Sequence, residues 1–97
     1  MSRSIYLVSY DIMDEKRLTK VHKKMLAYGS PLQYSVFICD LSRKEKEMMI
    51  SDLIELIKHD EDRIMIVNLG PVEGNAEERI EYLGVKPTIP QRESKIF

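Results

Sequence analysis

The stretch SIYLVSYDI, Ser4–Ile12, decides how this chain is read. Alternation along a strand places Tyr6, Val8, Tyr10 and Ile12 on one face and Ile5, Leu7, Ser9 and Asp11 on the other. Both faces are largely apolar, which predicts a central strand covered on both sides. Helices are expected on one face, and a second subunit over the face that ends in Ser9 and Asp11. The stretch closes on a carboxylate at the mouth of a buried strand, and a lysine-rich segment follows at once. A carboxylate beside a basic helix points to chemistry on phosphate, so Asp11 is the candidate centre.

Asp14 is placed to cap a helix running to Tyr28, with Gly29 as its stop. Leu18, Val21, Met25 and Leu26 form its buried stripe, while Lys16, Lys20, Lys23 and Lys24 share the opposite face. Arg17, on the first turn, is close enough in sequence to reach back toward Asp11, and His22 reads as a surface residue. After a turn at Ser30-Pro31, QYSVFICDL (Gln33–Leu41) reads as a strand, with Cys39 a small buried hydrophobe. Ser35 has no His or Lys at activating spacing, which excludes a serine hydrolase. Ser42 and Glu45 form a capping box that opens a second helix, to about Lys58. Asp60, Glu61 and Asp62 then read as a solvated acidic turn before a strand over Arg63–Leu69. Glycines and a proline at 70–74 break the chain, and Arg79–Leu83 reads as one more short strand.

Ninety-seven residues with 43% hydrophobic and 32% charged content make one domain with a modest core, a size often stabilised by dimerisation. Residues 1–84 are expected to form it, with 85–97 a tail docking on a partner subunit. No apolar run approaches the roughly 20 residues that span a bilayer, and the first residues begin no signal peptide. One cysteine can close no internal disulfide, and with two histidines it makes no zinc site, so a cytoplasmic protein is expected. Net charge is −1, but five cations lie between Lys16 and Lys24, and such a local field steers a polyanion.

Strand, helix, strand, helix, strand, with right-handed crossovers, gives an α+β two-layer sandwich carrying both helices on one sheet face. The ferredoxin-like βαββαβ pattern needs two strands between its helices. Only Gly29–Leu41 is available, so one of the two must be abbreviated or kinked near Leu32–Tyr34.

Several of these residues together resemble a known family. Tyr10-Asp11-Ile12, then Asp14, Lys16-Arg17, Lys20-Val21, Tyr28-Gly29 and Gln33-Tyr34-Ser35-Val36-Phe37 resemble the Cas-two family, small CRISPR-associated proteins of spacer acquisition. The likeness runs from residue 4 to about residue 69. It departs at Pro31, where many members carry arginine, and at Ile38, where an acidic residue is common. The resemblance implies a homodimer formed sheet to sheet and an endonuclease, dependent on magnesium or manganese, that cuts RNA or duplex DNA. It also implies a partnership with the Cas-one integrase. Asp11 would be the catalytic residue, supported by Tyr10, Arg17, Ser35 and Phe37, with Lys16, Arg17, Lys20, Lys23 and Lys24 on the nucleic acid.

One carboxylate is a thin metal site, and this sequence offers no second one at a convincing position on the strand. A two-fold axis near the strand end would set Asp11 against Asp11 of the partner subunit, and two like charges so placed favour a shared proton or a bound cation. Two alternatives stand beside the nuclease: a non-catalytic dimer bridging integrase dimers on duplex DNA, and a related ferredoxin-like toxin ribonuclease.

Overall fold

A computed structural model describes residues 2–88. The elements are β1 (Arg3–Asp11), α1 (Glu15–Met25), β2 (Ser30–Gln33), β3 (Val36–Ser42), α2 (Arg43–Leu56) and β4 (Arg63–Pro71), followed by a 3-10 turn at Ala76–Arg79. The sheet order is β2-β3-β1-β4 with every neighbour antiparallel, so the quoted stretch lies inside the sheet, between β3 and β4. This is the ferredoxin-like α+β sandwich with an abbreviated second strand.

The alternation of β1 divides the molecule. Tyr6, Val8 and Tyr10 enter a core with Val21 and Met25 of α1, Phe37, Cys39 and Leu41 of β3, and Met49 and Leu53 of α2. Ile5 faces the other way, into a smaller cluster with Leu32, Ile38 and Ala76, against which Leu7, Ile80 and Tyr82 pack. Both helices therefore cover one face. The chain after β4 covers part of the other and leaves Met65 and Val67 of β4 exposed there, at 57% and 36%.

Local chemistry sets the boundaries. The Asp14 carboxylate accepts the Arg17 backbone N–H at 3.0 Å, capping α1. The Ser42–Glu45 box is closed in both directions, at 3.0 and 3.1 Å. Gly29 does lie just past α1, but its φ is not positive, so conformational freedom is not what requires it. A Cβ at this position would run into the Ile38 carbonyl and the Cys39 thiol, with the Cys39 Cα at 3.1 Å. Glycine is there for close approach of backbone to β3.

Several expectations are corrected. Ser30-Pro31 is not a turn but opens β2, and Leu26, read into the buried stripe of α1, is exposed. Gln33–Leu41 is not one strand: Gln33 pairs with Val36, so Tyr34-Ser35 is a two-residue hairpin turn, and Ser35 takes φ 62 to make it. The short strand over Arg79–Leu83 is replaced by the 3-10 turn and an irregular segment, whose Ile80 and Tyr82 pack on the sheet face through side chains instead of pairing along an edge. The tail expected to dock on a partner lies mostly in 89–97, outside the described residues.

Candidate functional site

The last residue of β1 and the first of β4 are cross-strand neighbours: Asp11 pairs with Arg63, Ser9 with Met65 and Leu7 with Val67. Residues opposite one another in an antiparallel ladder project to the same side. The open face therefore carries an apolar stripe that ends in a carboxylate and a guanidinium. Arg63 Nη2 stands 3.7 Å from Asp11 Oδ2, with the two side chains 80% and 59% exposed.

Tyr10, one residue earlier, points into the helix layer. Its hydroxyl lies 3.0 Å from His22 Nδ1, and its ring centroid lies 6.1 Å from that of Phe37, which His22 meets edge-on at 5.4 Å. Burial pushes the Tyr10 phenol above its ordinary pKa, so it is no base at neutral pH. Tyr10 and the fully buried Phe37 pack beneath the site and do not reach its chemistry. His22 is exposed, as read, yet it anchors this cluster. Ser35 contributes backbone: its carbonyl accepts the Tyr10 N–H at 3.0 Å and so ties the hairpin turn to the end of β1.

Arg17 does not reach Asp11. Its Nε donates to Asp62 Oδ2 at 2.8 Å, and its Nη2 donates to Asp62 Oδ1 at 3.2 Å and to Glu61 Oε1 at 2.9 Å. The turn before β4 is thus not simply a solvated acidic loop, and Asp62 is its keystone. The Asp62 side chain is wholly buried. It also accepts the backbone N–H groups of Met13 at 2.9 Å and Lys58 at 2.8 Å. The Arg17 hydrogen bonds, helped by those two N–H donors and opposed by burial, hold the Asp62 carboxyl well below the usual carboxylate range. The same pairing holds Arg17 above its ordinary pKa. Asp62 binds the backbone of Met13, just past the exit of β1, and itself directly precedes Arg63, so it ties together the segments that carry the exposed pair.

Lys16, Lys20, Lys23 and Lys24 are all exposed on α1, and none forms an ion pair among the described residues. They belong to the helix layer, whereas Asp11 belongs to the open face. The basic face and the carboxylate are therefore on opposite sides of the sheet. Sequence reasoning missed Asp62 and Arg63. A charged residue at the first position of β4, facing a charged residue at the end of β1, was the one available signal for Arg63. Nothing local marked Asp62.

The described residues of one chain do not by themselves make a divalent-metal site. Among the described residues there is no group of three or more His, Cys, Asp or Glu side chains able to hold an ion, and Asp11 is ion-paired to Arg63.

Fold and site together define a small ferredoxin-like protein with an acidic strand end on an open, half-apolar sheet face. Residues 4–73 match the family of the CRISPR associated protein Cas2. A protein of Geobacter sulfurreducens named CRISPR-associated endoribonuclease Cas2 is 38% identical over 82% of this chain and 83% of its own. One of Halalkalibacterium halodurans named CRISPR-associated endonuclease Cas2 is 32% identical over 96% and 99%. Among solved structures, Streptococcus pyogenes Cas2 superposes with a TM-score of 0.70 at 32% identity, covering 82% of this chain and 99% of that one. A hypothetical protein of Thermus thermophilus superposes at 0.74 with 32% identity, over 91% and 99%. This chain belongs to the Cas2 family.

Proposed function

We propose that this chain is a CRISPR-associated endonuclease that hydrolyses phosphodiester bonds in RNA or duplex DNA as a homodimer. The carrying observation is the exposed Asp11 carboxylate at the end of a sheet face whose Met65 and Val67 remain to be covered. A second copy laid on that face would bury the stripe and bring Asp11 toward Asp11 of the partner subunit. The names of the Geobacter and Halalkalibacterium relatives support nuclease chemistry. Since the described residues of one chain gather no such donor set, magnesium or manganese is assigned to the pair of carboxylates. What such a hard cation supplies is a polarised water and compensation for the charge of the transition state. At this face the chain's own donor would be Asp11, as an oxygen ligand; the α1 lysines, on the other side of the sheet, would hold backbone phosphates away from it without reading sequence. The single buried thiol, Cys39, suits a cytoplasmic setting.

The test is cleavage of labelled duplex DNA and RNA by the purified dimer with magnesium, with manganese and with EDTA. Asp11→Asn should abolish metal-dependent cleavage while leaving the dimer intact by light scattering. Equal rates in the parent and in Asp11→Asn would remove Asp11 from the chemistry.

A second reading has its own observation. Asp11 already has a cation, Arg63, at 3.7 Å, so neither copy needs a metal to be neutral. This favours a non-catalytic dimer that bridges the Cas-one integrase on duplex DNA. Spacer acquisition that survives Asp11→Ala but fails when Lys20, Lys23 and Lys24 are neutralised would establish it.

A further inference from the structure

We infer that Arg63, beside Asp11 where β1 ends and β4 begins, holds a nucleic-acid phosphate, and that Asp11 competes with that phosphate for it. This rests on the reading that the Asp11 end meets nucleic acid, and it deepens that reading by naming the contact and its control.

The first argument is availability. Arg3 and Arg17 are each held by two carboxylates: Arg3 by Asp40 at 2.8 Å and Glu45 at 2.9 Å, Arg17 by Asp62 and Glu61 at 2.8 and 2.9 Å. Arg63 has only the loose approach to Asp11 at 3.7 Å, beyond the 2.7–2.9 Å of a charge-assisted hydrogen bond, so its donors remain open. The second is placement. Asp62 pins the turn just before Arg63 to Met13 and Lys58, so the backbone under the guanidinium is fixed and only the side chain has to move. The third is chemistry. A guanidinium fork matches two phosphate oxygens, and a carboxylate offers it the same two-oxygen acceptor. Asp11 and a phosphate are thus alternative partners of one donor. While Arg63 leans on Asp11, the carboxylate is neutralised. When a phosphate takes Arg63, Asp11 is released with the nucleic acid already in place. The pair acts as a substrate-gated uncovering of the carboxylate.

The experiment is fluorescence anisotropy with labelled duplex DNA and, separately, RNA, in EDTA across a salt series, so that no metal and no cleavage contribute. Arg63→Gln should weaken binding roughly tenfold at low salt. It should also flatten the slope of log affinity against log salt by about 0.9 on duplex DNA, the signature of one lost phosphate contact. Asp11→Asn should tighten binding about two- to fivefold, and that gain should vanish in the Asp11→Asn/Arg63→Gln double variant. Circular-dichroism melts of each variant confirm that all remain folded. Unchanged slope and affinity in Arg63→Gln would overturn the inference alone. So would an Asp11→Asn gain that persists in the double variant, since that gain is then a bulk charge effect. A parent protein that binds neither polymer would overturn the inference and the function it rests on together.

Discussion

Two arginine–carboxylate pairs flank the exit of β1, and they are built in opposite ways. Arg17–Asp62 is closed at 2.8 Å around a carboxylate with no solvent exposure and two further backbone donors. Arg63–Asp11, one residue along the chain from the first pair, stands open at 3.7 Å in water. The same two functional groups thus serve two ends. A buried carboxylate must be fully hydrogen-bonded or it costs more than it returns, and Asp62 is. An exposed pair is weak because water screens it, and that weakness is what lets a third party displace it. The closed pair holds the backbone so that the open one can exchange partners.

The comparison breaks most visibly at Asp62. Asp62→Ala strands the Arg17 guanidinium and the N–H groups of Met13 and Lys58 in a site shaped for a carboxylate. We expect it to lower the melting temperature on the order of 10 °C, read by circular dichroism. A melt within a degree or two of the parent would put Asp62 among ordinary surface acids.

Acid should act on the closed pair. Because the folded state depresses the Asp62 pKa, its contribution to stability is complete above the unfolded carboxylate value of about 3.9 and is lost as pH falls toward the depressed folded value. Glu45 and Glu61, also held low by their partners, add to the same limb. Asp62→Asn should therefore flatten the fall of stability below about pH 4, measured by urea titration at a series of pH values. Arg17→Lys gives an intermediate loss, a few degrees in melting temperature, because an ammonium keeps the charge but cannot span both Asp62 oxygens and Glu61.

What could be read in advance follows the range of the interactions. The alternation of β1, the Asp14 cap and the Ser42–Glu45 box are each decided within a few residues, and each formed as expected. The missing strand was assigned to the right interval but misplaced. Its hairpin turns on Tyr34-Ser35 without the Gly or Asn that usually announces such a turn, so the apolar alternation ran on through it. Arg17 was sent to Asp11 because six residues separate them. Its actual partner is 45 residues away, and only the antiparallel closure of β4 on β1 brings Asp62 to it. The lysine face was correctly placed on α1. Its separation from Asp11 by the thickness of the sheet became visible only once the parity of β1 was tied to the positions of both helices.

The smallest effect is the most discriminating one for the open pair. Removing either charge, by Asp11→Asn or Arg63→Gln, should change the stability of the protein by less than about 0.5 kcal/mol, because screened pairs of this kind contribute little and neither residue is part of a core. Chemical denaturation would show coincident midpoints for the parent and both variants. That near-silence matters. If the pair were a structural clasp, each single variant would cost stability and the double variant would cost no more than either. If it is held ready for exchange, stability stays flat while nucleic-acid affinity moves in opposite directions for the two single variants. A stability loss at Arg63 comparable to that at Arg17 would collapse the distinction and return both arginines to holding the fold.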